Sequence, residues 1–168
     1  MRLTTITDYA MRLLMYVAHY PERLCTIAEI AQAYGISEAH LMKVTHELGM
    51  AGFIETVRGK GGGMRLAAPP EQINLGAVVR SIEPDFSLVE CFGMSNHCVL
   101  PGYCRLAGTL AAALEAFLAH LDRYSLADLV PDRPGAAGGN NGYALPPPAS
   151  VCGPAGRRVR VATVRDIS

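Results

Sequence analysis

The sequence predicts a mainly α-helical protein with a small β wing, in which a winged helix-turn-helix domain is followed by a long dimerisation helix. Three observations support this fold class. Two short helical patterns flank Gly35, a glycine-rich basic hairpin follows them, and a long alanine- and leucine-rich segment lies further along the chain. With 168 residues, of which 50% are hydrophobic, the chain is long enough to bury a core of ordinary size.

The first helical pattern spans residues 7–19, where apolar residues recur at helical spacing. Thr7 is the expected N-cap and Pro21 ends the helix. Asp8 and Arg12 come before any long apolar run, so this start is typical neither of a signal peptide nor of a membrane span. We therefore expect a cytoplasmic protein without membrane association, in which thiols stay reduced.

The helix-turn-helix comes next. Thr26 is expected to cap a helix over residues 27–34, Gly35 makes the turn, and Ser37 caps a second helix from Glu38 to Met50. The second helix of such a pair enters the major groove of double-stranded DNA. A solvated helix in an ordinary bundle is the alternative for this motif alone. The candidate DNA contacts on the second helix are Ser37, Glu38, His40, Lys43 and His46.

A hairpin with a basic tip follows directly. Residues 53–57 and 64–66 have the composition of strands, and the connection between them is too rich in glycine for regular structure. The formal net charge is 0, so a DNA-binding surface has to be local, and this tip provides one. A P-loop is excluded because it runs strand, loop, helix and ends in Gly-Lys-Ser/Thr. The candidate wing contacts are Arg58, Lys60, Gly61 and Arg65.

Two further helices are expected beyond the wing. Residues 73–82 form a short helix, capped by Asn74, that packs on the winged domain. Residues 105–124 form a helix of about five turns, in which leucines recur at steps of three and four and many alanines let another helix approach. We therefore expect a homodimer, whose two winged helices could bind half-sites about 34 Å apart. Packing of this helix on its own domain is the alternative.

Three of the five cysteines, Cys91, Cys98 and Cys104, lie between the two helices with six and then five residues between them. Three thiolates on one loop indicate a soft metal or an iron-sulfur cluster. The alternatives are a partial disulfide set or free core thiols, although disulfides need an even number of cysteines and an oxidising compartment. Cys152 lies in a proline- and glycine-rich segment and is expected to be a bystander.

The expected domain organisation has three parts. Residues 1–82 form the winged helix-turn-helix domain, and residues 83–130 hold the cysteine loop and the dimerisation helix. Residues 131–168 form a tail that should be disordered, because proline and glycine are abundant and periodicity is lost. The group of Arg157, Arg158, Arg160 and Arg165 in this tail could add non-specific affinity for DNA or could only be solvated.

These segments together resemble a superfamily of bacterial winged-helix regulators that carry iron-sulfur clusters, and within it the nitric-oxide-sensing repressors. The resemblance runs from Met1 to about Val130. It rests on the opening MRLTTITDYAMRLLMYVA, the helix-turn-helix IAEIAQAYGISEAHLMKVTHELGMAGFI, the wing VRGKGGGMRLA, the segment SIEPDFSLVEC and the three-cysteine loop. The related repressors of iron-sulfur assembly have a histidine three residues after the last cysteine, where this chain has Ala107.

The resemblance implies a homodimeric repressor in which Asp8 from the other subunit joins Cys91, Cys98 and Cys104 around one iron-sulfur cluster. A four-iron (4Fe–4S) cluster is favoured, and a two-iron (2Fe–2S) cluster stays open. Carboxylate is a poor ligand for cluster iron compared with thiolate, so one iron would be accessible to a small diatomic gas. Nitric oxide would then release the operator and derepress genes for nitric oxide detoxification.

Other function classes have weaker support. A redox-responsive or iron-sulfur-assembly regulator of the same fold would share everything except the effector. A zinc-stabilised winged-helix interaction protein would use the same three cysteines with His97 or a water. The chain is not expected to be an enzyme, because it shows no arrangement of nucleophile, base and orienting residue.

Overall fold

The computed structural model describes residues 3–89, 92 and 104–130. Cys91, Cys98, Cys152 and the predicted disordered tail lie outside these residues. None of the described helices is both long and apolar enough to cross a membrane. The elements are α1 (Thr5–His19), α2 (Ile27–Tyr34), α3 (Glu38–Met50), β1 (Ile54–Val57), β2 (Gly63–Leu66), α4 (Leu75–Ile82) and α5 (Arg105–Leu121), with 3-10 turns at Pro70–Gln72 and Leu126–Leu129.

Helix α1 begins earlier than the sequence indicated. Its N-cap is Thr4, whose hydroxyl accepts a hydrogen bond from the Thr7 backbone N–H at 3.4 Å. The prediction that Thr7 caps the helix is wrong, because Thr7 is fully buried and its hydroxyl donates to the Glu83 carboxylate at 2.5 Å. This contact joins residues 76 positions apart, so local sequence rules could not find it.

The helix-turn-helix forms as predicted. Thr26 caps α2 by accepting from the Glu29 N–H at 3.2 Å, and Ser37 caps α3. Gly35 between them has a φ of 64°, a left-handed conformation in which glycine carries no steric penalty. The two helices and α1 share one hydrophobic core, whose fully buried members include Leu13, Leu14, Tyr16, Ile30, Leu41 and Leu48.

The predicted hairpin is also confirmed. β1 begins one residue later than predicted and β2 begins one residue earlier. β1 and β2 pair antiparallel, with Ile54 opposite Leu66 and Val57 opposite Gly63. Cys25 forms an isolated antiparallel bridge to β2, because its backbone exchanges hydrogen bonds of 2.9 and 2.8 Å with that of Met64. A Cβ on Gly63 would lie 2.6 Å from the Cys25 carbonyl oxygen, so this close approach requires glycine.

The long helix α5 ends at Leu121, three residues before the predicted end at Tyr124. The chain leaves the helix because the Tyr124 carbonyl accepts from the Leu75 N–H at 3.0 Å, which ties this segment to the start of α4. Leu126 follows and is fully buried in the core shared by the first helices. Helix α4 begins one residue after its predicted cap, Asn74, which accepts from the Ala77 N–H at 3.0 Å.

Candidate DNA-binding surface and metal ligands

Helix α3 presents a polar face to solvent because its apolar residues are used in the core. Leu41, Val44 and Leu48 are buried at steps of three and four residues. The opposite side carries the predicted contacts Glu38, Lys43 and His46, all of them exposed. A helix held in this way offers both hydrogen-bond donors and hydrogen-bond acceptors to the edges of base pairs.

Two of the predicted DNA contacts on α3 also hold the helix in place. The Ser37 hydroxyl accepts from the His40 N–H at 3.4 Å and lies 2.8 Å from the His40 Nδ1. The His40 ring lies 6.1 Å from the ring of Tyr9 on α1, measured between centroids. The start of α3 is therefore in contact with the residue that follows Asp8, which places a candidate metal ligand near the recognition helix.

The wing tip is accessible and basic. Arg58, Lys60 and Gly61 are exposed, and Gly61 has a φ of 78°, which favours glycine. Arg65 is less free to contact DNA than the sequence predicted, because its guanidinium pairs with the Glu55 carboxylate across the hairpin at 2.7 Å. Both side chains are more than half exposed, so DNA phosphate could compete for Arg65.

Two exposed methionines on α3 were missed by the sequence reasoning. Met42 is 57% exposed and Met50 is 77% exposed, although both are large apolar side chains. The sequence could have identified them as exposed apolar residues, because both lie outside the apolar stripe of Leu41, Val44 and Leu48. In a major groove, the Met42 side chain is suited to an apolar contact with the methyl group of thymine, which hydrogen-bonding side chains do not recognise.

The two described cysteines lie in opposite environments. Cys25 is fully buried beside the wing, and burial raises the pKa of its thiol to about 12. Cys104 is half-buried, unpaired as a disulfide, and occupies the N-cap position of α5 without a capping hydrogen bond from its side chain. Metal ligation needs an accessible thiolate, so Cys104 fits a ligand role and Cys25 fits a core role.

Asp8 lies in the first turns of α1 and is accessible. Its carboxylate accepts from the Arg12 Nε at 3.0 Å in an exposed pair, and its side chain is 49% exposed. The spacing of four residues on a helix was the available signal for Arg12, which the sequence reasoning did not include. Asp8 and Arg12 line a surface depression that reaches the helix-turn-helix turn at Gly35 and Ile36.

The described donors fit an iron-sulfur cluster only as part of a larger set. Among residues 3–89, 92 and 104–130, no three His, Cys, Asp or Glu side chains come together as metal ligands. Cys91 and Cys98 lie outside those residues. Cys104 and Asp8 are each accessible, and neither is needed for core packing, so both could serve in a site completed by further ligands.

Comparison with known proteins identifies the lineage of this arrangement. The family model described as "Rrf2: Iron-dependent Transcriptional regulator" matches residues 3–132. The "HTH-type transcriptional regulator NsrR" of Bacillus subtilis (strain 168) is 50% identical over 135 residues, which cover 79% of this chain and 92% of that protein. The protein of the same name from Geobacillus kaustophilus (strain HTA426) is 53% identical over 135 residues, with the same two coverages.

Solved structures agree on the fold. The global cysteine regulator CymR of B. subtilis matches with a TM-score of 0.60 and 26% identity, over 77% of this chain and 95% of that chain. IscR of T. potens matches with a TM-score of 0.61 and 25% identity, over 77% of this chain and 85% of that chain. The mainly helical fold with its small antiparallel wing is therefore the winged-helix fold of these regulators.

Proposed function

Because the chain belongs to the Rrf2 family of transcriptional regulators, we propose that it is a nitric-oxide-sensing repressor whose iron-sulfur-bound dimer holds operator DNA. Reaction with nitric oxide releases the dimer from the operator and derepresses genes for nitric oxide detoxification. The observation that carries this proposal is the joint presence of an exposed recognition helix, a basic wing and two accessible candidate ligands, in a chain half identical to proteins named NsrR.

DNA binding is assigned to α3 and the wing. Helix α3 of each subunit enters a major groove, and Lys43 and His46 face the duplex because the opposite side of the helix is buried. Arg58 and Lys60 at the wing tip contact the phosphate backbone, where exposed cations on a glycine-rich turn can approach closely. Arg65 joins them if the phosphate displaces Glu55 from its guanidinium.

The cluster is assigned to Cys91, Cys98 and Cys104 of one subunit with Asp8 of the other. When bound, the cluster supplies iron that reacts with nitric oxide. Asp8 is suited to a weak and reversible ligand, because its carboxylate is exposed and Arg12 on the same helix can bind it again after release. The depression that joins Asp8 to the turn before α3 gives a short path from ligand loss to the recognition helix.

Dimerisation is assigned to α5. None of its residues is buried within the described part of one chain, although the helix has leucine at positions 106, 110, 114, 118 and 121. Leu106 is 59% exposed, whereas α1 and α4 bury their apolar faces. A second copy of α5 would cover this face. Among the described residues, space for it remains beside Gly108, where an added Cβ would meet no atom within 4 Å.

The test compares two cysteine variants prepared without oxygen. Cys104→Ser should lack the visible absorption of an iron-sulfur cluster and should bind weakly to an operator selected from random duplexes by the wild-type protein. Cys25→Ala is the matched control and should keep both, because the buried Cys25 thiol is unavailable to metal. Full operator affinity in colourless Cys104→Ser protein would contradict the link between the cluster and DNA binding.

A further inference from the structure

We propose that Glu83 is a positioning residue that links the two cluster sites of the dimer to each other. The inference rests on the proposed function, in which Asp8 of each subunit completes the site of the other. Glu83 fastens the first turn of α1, which carries Asp8, to the segment that leads into the cysteine loop of its own chain. A change at one site is then felt at the second site through each chain.

The Glu83 carboxylate is held by three donors from the start of α1. The Thr4 backbone N–H donates to its two oxygens at 3.2 and 3.1 Å. The Thr4 hydroxyl lies 3.2 Å from Glu83 Oε2, and the Thr7 hydroxyl donates to the same oxygen at 2.5 Å. Hydrogen bonds to an ionised carboxylate are about twice as strong as neutral ones, so this is a firm attachment.

The attachment lies where the ligand-bearing elements meet. A depression of about 370 Å³ is lined by Leu3 at the start of the described chain, by Glu83 and Phe86, and by Leu110 on α5. Helix α1 carries Asp8, the chain after Glu83 leads to Cys91, and α5 begins after Cys104. Glu83 is therefore in a position to transmit a displacement of one of these elements to the others.

The consequence is positive coupling between sites. Filling one site restrains Cys104 and with it the start of α5, and through the depression that α5 shares with Glu83 it restrains Asp8 of that chain for the second site. The second cluster then binds to a site whose Asp8 is already restrained, and it binds more tightly. By reciprocity, loss of one cluster weakens the other by the same factor, so a dimer would gain or lose its clusters as a pair.

Native mass spectrometry of dimers loaded with clusters to half of their sites tests this coupling. Independent sites would leave about half of the dimers with one cluster, whereas tenfold coupling would lower that fraction to about a quarter. Wild-type protein should show the depleted fraction. Thr7→Val removes one hydroxyl with little change in volume, and Glu83→Gln weakens all three contacts, so both should move the fraction towards the independent value.

Two controls separate coupling from general destabilisation. Thr7→Ser keeps the hydroxyl and should keep the wild-type distribution. Thr26→Val removes a threonine that caps α2, away from Glu83, and should lower the midpoint of urea unfolding without changing the distribution. A change in distribution in Thr26→Val would contradict the proposal, because loss of stability alone would then explain the effect.

Several results would overturn the role of Glu83. They are an independent distribution in wild-type dimers, a depleted fraction that persists in both Thr7→Val and Glu83→Gln, and a folded Thr7→Val protein that takes up no cluster at all. Asp8→Ala tests the underlying assignment separately. If Asp8→Ala dimers bind clusters with unchanged spectrum and stability, the ligand from the other subunit is wrong, whatever the distribution in the Glu83 variants.

Discussion

The two ends of α5 are held in different ways. At its C-terminal end, Asp122 forms a two-point ion pair with Arg80 on α4 at 2.5 and 2.7 Å, and Asn74 donates to the Asp122 carbonyl at 2.7 Å. At its N-terminal end, Cys104 makes no capping hydrogen bond with its side chain, and Leu106 is 59% exposed. The C-terminal end is fixed to the winged domain, and the N-terminal end, which has fewer contacts among the described residues, carries the candidate ligand Cys104.

The fixed end continues directly into the core. Leu126, five residues beyond α5, is fully buried, and its N–H donates to the Ile73 carbonyl at 2.7 Å. A helix anchored at one end can rotate about that end when the other end is released, as hinge motions require. If Cys104 is a ligand as proposed, a change of ligands there could therefore move α5 without unfolding the helix-turn-helix and the wing.

The largest expected effect of substitution lies at the anchored end. Leu126→Ala should lower the free energy of unfolding by about 2–5 kcal/mol, because it opens a cavity in the core. Leu106→Ala, near the N-terminal end of α5, should change the free energy of unfolding of dilute, cluster-free monomer by less than about 0.5 kcal/mol. Urea unfolding of both variants makes the comparison, and equal losses would remove the distinction between the two ends.

Substitutions of Asn74 can separate the capping of α4 from the attachment of the chain that follows α5. Asn74→Ala should cost about 0.5–2 kcal/mol, because it removes the N-cap of α4 as well as the bonds to the chain after α5. Asn74→Asp keeps an oxygen that accepts from the Ala77 N–H and loses the donor to the Asp122 and Tyr124 carbonyls, so its loss should be smaller. Urea unfolding measures both variants, and a loss in Asn74→Asp equal to that in Asn74→Ala would place the whole effect in the anchor.

A smaller effect is expected from pH. The hydrogen bond from Arg80 lowers the pKa of Asp122 below its ordinary value of 3.8, so the ionised carboxylate favours the folded state. This contribution is complete above pH 3.8 and is lost as pH falls through the lowered pKa. The difference in urea midpoint between wild type and Asp122→Asn should therefore be present at about pH 6 and shrink in strong acid. A difference that stays constant down to about pH 2 would show that the ion pair does not act through Asp122 ionisation.

The sequence predicted those parts of the fold that depend on neighbouring residues. Thr26, Gly35 and Ser37 mark the helix-turn-helix through capping and a left-handed turn, which are local rules. The wing followed from strand composition on both sides of a glycine-rich tip. These predictions needed no knowledge of what packs against each element.

The errors in the bounds of the elements concern contacts between distant positions. Thr7 was a reasonable cap by local rules, but Glu83 binds its hydroxyl from 76 residues away. The early end of α5 depends on a backbone bond between Tyr124 and Leu75. For the candidate site, exposure of Asp8 and of Cys104 supports their predicted roles, while the grouping of ligands rests on the resemblance and stays a prediction.

The proposed control of operator binding by the cluster can be tested in one sample that reports both operator binding and cluster content. Cluster-loaded dimer bound to fluorescent operator, without oxygen, is titrated with nitric oxide while operator anisotropy and visible absorption are recorded together. We predict that anisotropy falls in step with the loss of the cluster absorption, because in the proposed site the loss of ligands would release the start of α5 and Asp8 together. Operator that stays bound after the absorption has been lost would contradict control of DNA binding by the cluster.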